Sequence, residues 1–498
     1  MTNMVAQALD HPGDNIALHE YATDRSWTYG ELSRACRGVS DALTAAGVGP
    51  DDRVALFGGN HLEFFAGWLG IAGHGAILSS INLLLGPAEK AAILENLEPK
   101  VILAERAVAD AAGAARPQCP LIVLEDVALA TGDPFEVVPR DDDDLVSIAY
   151  TSGTTGPLPK GAVHRHAVPS VVANGTAEAL GLEMGDTVLS FLPNFQIPAF
   201  ANIPLVAFYL GSTCLLMDRL DVDAVLDAVQ NRDVKIFTSV PTALYDLLEG
   251  AEAKGVRFDS LRCGPVGGAP LPPVLQERAM ALGWIPVNIY GSTETCGNVA
   301  VQRPDRELRV GATGPADAGA RLSVRDPVTF EELPAGEEGE VCVGEERACL
   351  RYWRNEDATA DAFRDGWFRT GDMGRFDGDG ELYIVDRLKD LIIRGGFNIA
   401  PAEVERVLIR HRIVGEVIVV GEPDERLGEV PIAYVVAAEG AEIDKTELLA
   451  FAHEHLGAVK CPVRIDEVDQ DALPRGPLGK VRKPDLKKMV AAGEIALR

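Results

Sequence analysis

Residues 150–161 read Tyr-Thr-Ser-Gly-Thr-Thr-Gly-Pro-Leu-Pro-Lys-Gly. Thr151, Ser152, Thr154 and Thr155 set four hydroxyl donors beside the bare amides of Gly153 and Gly156, and Lys160 adds a positive charge at the far end. Glycines let successive N–H groups converge on an anion, and hydroxyls supply further donors. The chemistry this predicts is polyphosphate binding, set against the plainer reading of a solvated polar linker. The spacing is not Gly-x-x-x-x-Gly-Lys-[Ser/Thr], because Gly161 follows Lys160, which disfavours a P-loop kinase or GTPase.

Four further islands carry residues of the same kind. Asn288-Ile-Tyr-Gly-Ser-Thr-Glu294 ends an apolar run in Tyr290 and Gly291, then offers the Thr293 hydroxyl and the Glu294 carboxylate, a pair suited to phosphate and Mg²⁺. Phe368-Arg-Thr-Gly-Asp372 holds a carboxylate after a glycine turn, a way to take two ribose hydroxyls. Asp386-Arg-Leu-Lys-Asp-Leu-Ile-Ile-Arg-Gly-Gly396 clusters charge before a Gly-Gly turn. Leu473-Pro-Arg-Gly-Pro-Leu-Gly-Lys480 shapes a loop around one lysine. Each alone is more simply a surface turn.

The elements that must hold these islands follow from periodicity. Short apolar runs at 54–57, 101–104, 121–124, 145–150 and 234–240 predict buried strands, and amphipathic stretches at 29–46, 87–97 and 222–231 predict helices. Strands alternating with helices imply an α/β protein with parallel sheets. From about Gly311 glycine-punctuated segments such as 321–324 and 339–344 predict a small β-rich subdomain. Beyond 387–389 a compact unit is expected, with helices at 401–411 and 445–456 and strands at 414–420 and 431–437. The expected division is therefore 1–388 and 389–498.

At 498 residues more than one domain is required. A net charge of −29 argues against nucleic acid or an anionic membrane as partner. Eight cysteines without a Cys-x-x-Cys pair suit reduced thiols in a cytoplasmic protein. The N-terminus lacks the basic and apolar regions of a secretory signal. Residues 187–217 carry no charge, yet Pro193, Pro198 and Pro204 with Asn194, Gln196 and Asn202 interrupt them, so a buried helix beside a pocket is expected rather than a membrane span.

Taken in order, the five islands resemble the acyl-adenylate-forming superfamily, and the resemblance runs from Thr28-Tyr-Gly-Glu-Leu32 to Lys480. Val266-Gly-Gly-Ala-Pro-Leu271 and residues 421–430 are similar to its acyl-CoA synthetase branch. The resemblance implies a large N-terminal adenylating domain with a small mobile α+β C-terminal domain. It implies ATP, Mg²⁺ and coenzyme A as cofactors, a small-molecule carboxylic acid as substrate, and an acyl-AMP intermediate. Thr151, Ser152, Gly153, Thr154, Thr155, Gly156 and Lys160 would cover the β- and γ-phosphates. Gly267, Gly268 and Ala269, with Asn288, Tyr290 and Gly291, would frame adenine. Thr293 would hold the α-phosphate and Glu294 the metal, while Asp372 with Arg387 would take the ribose. Lys480 would be the catalytic lysine, Lys389 the hinge, and Gly395 with Gly396 a passage for the CoA thiol. A homodimer is compatible with this reading.

Two departures stand out. The phosphate loop carries one residue more than the family's Gly-x-Pro-Lys-Gly, and Gln196 stands where many relatives have His. Phe195, Gln196, Ile197, Phe200 and Cys296 are the expected acid pocket. No lysine or arginine lies near them in sequence, which points to a neutral apolar acyl or aryl acid. Two other readings stay open here: an adenylating ligase with an amine or carrier-protein acceptor, and a nucleotide-binding protein without turnover.

Overall fold

In the computed structural model, residues 4–128, 133–151, 159–317, 319–395, 397–424, 426–475 and 481–495 are described. They divide into two compact units. The first comprises Met1–Leu322, Val343–Arg369 and Gly380–Leu382, and the second Ser323–Cys342, Thr370–Asp379 and Tyr383–Arg498.

Two layered sheets dominate the first unit. In one, the strands run in the order Leu121–Val123, Val101–Ala104, Arg53–Phe57, Ile77–Ser80, Leu145–Tyr150 and Gly161–Arg165, all parallel except the last. In the other, Val234–Phe237, Thr187–Ser190, Thr213–Leu216 and Ile16–Glu20 are parallel and Ser26–Thr28 closes the edge antiparallel. Strands buried on both faces read as unbroken apolar runs, which is why Val101–Ala104 is buried throughout. The helix Leu62–Gly73 is fully buried and apolar except for Glu63, whose carboxylate pairs with Arg25. Asn60 ties these layers together: its amide donates to the carbonyls of Leu192 and Met217, each at 2.9 Å, and its own oxygen accepts from Asn194.

Helix boundaries follow their caps. Thr28 and Glu31 form a reciprocal capping box before Tyr29–Ala45, and Asp221 caps Val222–Asn231 through the Ala224 amide. The uncharged stretch 187–217 is not one buried helix. It folds as a strand, the short helices Ile197–Asn202 and Pro204–Leu210, and a second strand, Thr213–Leu216. Proline occupies the first turn of both helices and Gly211 ends the second in the left-handed conformation, so the prolines set helix starts. Among the described residues no helix is long and apolar enough to cross a membrane.

In the second unit the strands Phe397–Ile399, Ile392–Arg394, Gly428–Ala437 and Val414–Asp424 pair antiparallel, and Arg464–Glu467 joins Gly428–Ala437 in parallel. The helices Pro401–Leu408 and Lys445–His455 lay Val404, Leu408 and Leu448 into a core with Val419, Val435 and Ile465.

Candidate active site

The two ends of the phosphate-loop segment meet on an antiparallel strand pair. Tyr150 pairs with Gly161 across two antiparallel strands, and the Thr151 amide donates to the Lys160 carbonyl at 2.9 Å. The loop thus begins and ends at one point of the sheet, as a backbone that wraps a phosphate chain requires. Ser152, Gly153, Thr154, Thr155 and Gly156 lie outside the described residues, and so do Gly396 and Lys480.

Glu294 sits in the turn joining the antiparallel strands Pro286–Ser292 and Gly297–Val301. The turn is self-bonded. Thr295 Oγ1 accepts from the Ser292 amide at 2.9 Å and donates to the Gly297 carbonyl at 2.7 Å, while Cys296 adopts a φ of +60°. A non-glycine residue in the left-handed region is strained and marks a turn the surroundings enforce. Gly291 makes the turn possible, because a Cβ there would lie 2.0 Å from the Gly297 carbonyl oxygen. Gly267 follows the neighbouring parallel strand Gly264–Val266, donates to the Ser239 carbonyl, and has no room for a Cβ beside Ile289. Gly268 turns the chain with a φ of +78°, carrying Ala269 away from the strand end. Asn288 is buried with its amide donated to the Ala312 carbonyl at 2.9 Å, so its side chain braces the strand. Tyr290 packs against the cluster of Val299, Val343 and Phe368.

One segment links this turn to that strand pair. The Cys349 amide donates to the Glu294 carbonyl at 2.6 Å, Leu350 to Val163 at 2.8 Å, and Trp353 to Gly161 at 2.7 Å. Val163 returns a bond to the Arg351 carbonyl at 3.0 Å. Residues 349–353 therefore form an irregular segment alongside Gly161–Arg165, the strand that leaves the phosphate loop, with an isolated antiparallel bridge between Tyr352 and Ala162. At its centre the Tyr352 phenol donates to Glu294 Oε1 at 2.8 Å, and Lys160 Nζ lies 4.9 Å from the centre of the same ring. Burial and the adjacent Glu294 carboxylate push the Tyr352 phenol well above its usual value, which keeps it a proton donor.

The expected acid-pocket residues Phe195, Ile197 and Cys296 are all buried, and Gln196 opens the helix Ile197–Asn202 without spending its side chain on the cap. Phe200 belongs to the core, stacked 4.2 Å from Trp68. Burial pushes the Cys296 thiol up to about 12, so it is a neutral wall. Beside it lies a polar cluster. Asn202 donates to Asn298 at 3.0 Å, and the Arg347 guanidinium donates to the Asn298 carbonyl and lies 3.5 Å from Asp317. Arg347 and Asp317 bury their charges together, adding no net charge.

In the second unit, Asp372 follows Gly371, whose φ is +71° and whose amide donates to Glu340 at 3.1 Å. Arg387 Nε is 3.2 Å from Asp372 Oδ1, bringing together two residues expected at one ribose. Asp386 instead accepts from the Ala402 amide at 2.7 Å and so anchors the start of Pro401–Leu408. Lys389 lies in the single turn Leu388–Asp390, and Gly395 turns the adjoining hairpin with a φ of +58°. Arg475 and Val481 form a bridge that closes the base of the segment bearing Lys480.

Sequence reasoning missed Tyr352, Arg347, Asn202 and Asn298 as a group. Fifty-eight positions separate Tyr352 from Glu294, and nothing in Leu-Arg-Tyr-Trp marks it as a carboxylate partner. The donor chemistry at the turn suits Mg²⁺. Among the described residues no group of three or more His, Cys, Asp or Glu side chains could cage an ion. A single carboxylate with a hydroxyl nearby is the set Mg²⁺ uses when water and substrate phosphates complete its shell.

A carboxylate turn stitched to the strand pair flanking the phosphate loop defines a phosphate-handling α/β enzyme. The model of the AMP-binding enzyme family matches residues 5–353, and that of the AMP-binding enzyme C-terminal domain matches 403–480. Long-chain-fatty-acid–CoA ligase FadD13 of Mycobacterium tuberculosis is 34% identical over 489 residues, covering 96% of this chain and 95% of its own. Feruloyl-CoA synthase of Amycolatopsis is 34% identical over 93% of both chains. ATP-bound MatB of Rhodopseudomonas palustris superposes with a TM-score of 0.91 at 29% identity over 98% of both chains. The chain belongs to the AMP-binding enzyme family, in the acyl-CoA synthetase branch of the acyl-adenylate-forming superfamily.

Proposed function

We propose that the chain is an ATP- and Mg²⁺-dependent carboxylic acid–CoA ligase for a neutral, apolar acyl or aryl acid. A carboxylate oxygen of the acid attacks the α-phosphorus and pyrophosphate leaves, giving the acyl-AMP. The CoA thiol then attacks the acyl carbonyl, AMP leaves, and a thioester forms. What carries the reading is the Glu294 carboxylate, fixed beside Thr293 and tied to the strand that leaves the phosphate loop. Mg²⁺ bound there would neutralise phosphate charge.

Residues 151–156 with Lys160 would hold the β- and γ-phosphates, and Thr293 the α-phosphate. Gly267, Gly268 and Ala269 would frame adenine with Tyr290, Gly291 and the backbone of Asn288. Asp372 and Arg387 would hold the ribose. Lys480 would stabilise the charge that gathers between carboxylate and α-phosphate, a role whose loss typically costs about 10²–10³ in rate. We take 1–388 and 389–498 as the working domains, pivoting at Lys389, with Gly395 and Gly396 lining the thiol's route in the second pose. The neutral acid is supported by the uncharged walls Phe195, Gln196, Ile197 and Cys296, by the mutual neutralisation of Arg347 and Asp317, and by the fatty-acid and feruloyl names of two relatives. The proposal includes a cytoplasmic setting, where the eight free cysteines stay reduced, and a homodimer, read by light scattering.

The test is a panel of fatty, aryl and dicarboxylic acids assayed for AMP with and without CoA. A monocarboxylic acid should give CoA-dependent AMP and a product with the mass of a thioester. Preference for a dicarboxylic acid would overturn the acid class, and product formed with an amine but not with CoA would overturn the acceptor.

A further inference from the structure

We infer that Tyr352 is a positioning residue for nucleotide and metal: its phenol aims the Glu294 carboxylate while its ring face holds Lys160 beside it. The inference rests on the reading of Glu294 as the metal carboxylate and goes beyond it, because it assigns the group that orients that carboxylate.

Two contacts carry it, made by different parts of one side chain. The hydroxyl donates to Glu294 Oε1 at 2.8 Å, which leaves Oε2 and the other lone pair of Oε1 to face a cation. The ring face meets Lys160 Nζ at 4.9 Å, a cation–π separation. The residue is only 5% exposed, so few other rotamers are open to its side chain. Its backbone is fixed independently. The Tyr352 amide donates to Thr359 Oγ1 at 3.0 Å, and Tyr352 bridges Ala162 on the strand that leaves the phosphate loop.

The consequence is a physical link between the two ends of the phosphate site. Aiming a carboxylate before the metal arrives lowers the reorganisation needed on binding, which is how partners behind a ligand tune metal affinity. Lys160 and Glu294 have opposite charges and converge on one rigid ring, so the lysine is held for the phosphates without pairing directly with the carboxylate.

Tyr352→Phe removes the phenol and keeps the ring; Tyr352→Leu removes both. Thr359→Val disturbs the same backbone and leaves the phenol in place. The full chain is titrated with Mn²⁺ in the presence of a non-hydrolysable ATP analogue, bound metal is read by electron paramagnetic resonance, and the Mg²⁺ requirement for AMP formation is measured in parallel. Y352F should weaken metal binding about tenfold, the scale of one lost hydrogen bond to a charged group. Y352L should add a several-fold loss of metal-free analogue affinity, while T359V and the melting temperature of Y352F stay near those of the parent protein. Glu294→Gln is the control for the underlying reading. If E294Q weakens metal binding and Y352F does not, Tyr352 has no positioning role. If T359V matches Y352F, the effect is merely structural and the inference fails. If E294Q itself leaves metal binding unchanged, the reading of Glu294 falls and the inference falls with it.

Discussion

Gly291→Ala isolates the geometry of the Thr293–Glu294 turn without touching a polar group. The new Cβ would lie 2.0 Å from the Gly297 carbonyl oxygen, 2.6 Å from its carbon and 2.9 Å from the Asn298 Cα. All three are backbone atoms of the partner strand, so no side-chain rotation relieves the clash. Restoring an ordinary contact of about 3.4 Å requires the strands to part by about 1.4 Å at the point where the turn begins. Overpacking of this kind costs about 1–3 kcal/mol of stability. A displacement on the order of 1 Å at a reacting centre costs about 10²-fold in rate, and the turn carries Thr293 and Glu294 two and three residues on. The assay is AMP formation under saturating acid, ATP and CoA, beside a thermal melt. Gly457→Ala is the control, since a Cβ there meets nothing within 4 Å. A G291A protein that melts cooperatively yet turns over within a few-fold of the parent would refute the claim that the turn places the catalytic groups.

Three more outcomes follow. Burial holds the His164 and His166 imidazoles down at about 4, with Arg140 adding to the effect at His166, so the unfolded chain binds protons that the folded chain refuses as pH falls below about 6.5. Stability is therefore full above 6.5 and lost between 6.5 and 4, and His164→Leu should flatten that loss in melts at pH 5 and 7; an unchanged slope would contradict it. His61, raised to about 9 chiefly by its hydrogen bond to Glu105, works oppositely: its contribution is full below 6.5 and fades toward 9, which His61→Asn should abolish in melts at pH 7 and 9.5. Arg347→Met should destabilise by about 3–5 kcal/mol by leaving the Asp317 carboxylate buried, and R347M/D317L should recover most of it in denaturant unfolding.

Most elements were readable because their periods were clean. The expected helices at 87–97 and 222–231 coincide with Pro87–Leu97 and Val222–Asn231, one announced by Pro at its start and the other by the Asp221 cap. The strands 101–104 and 145–150 also coincide, the first buried throughout and the second buried at Val146, Ser147 and Ile148. The stretch 187–217 was misread because an uncharged run has no period; proline positions, rather than hydropathy, set its two short helices. In the site, Thr293 with Glu294 was visible as a turn, whereas Gly371 and Asp372 lie within the strand Trp367–Phe376, where Gly371 adopts a φ of +71°. The contacts that orient the site residues were not visible. Tyr352 meets Glu294, and Arg347 meets Asn298 and Asp317, only because segments far apart in sequence fold side by side, and no local spacing encodes such pairings.

This chain joins a carboxylic acid to CoA through an adenylate. The most direct measurement incubates the protein with ATP, Mg²⁺, CoA and a neutral monocarboxylic acid, then quantifies AMP and identifies the acyl product by mass. One AMP is expected for each CoA thioester formed, with loss of both products in Lys480→Ala while ATP binding remains measurable. Pyrophosphate release without any thioester, or a K480A protein that turns over as fast as its parent, would contradict this.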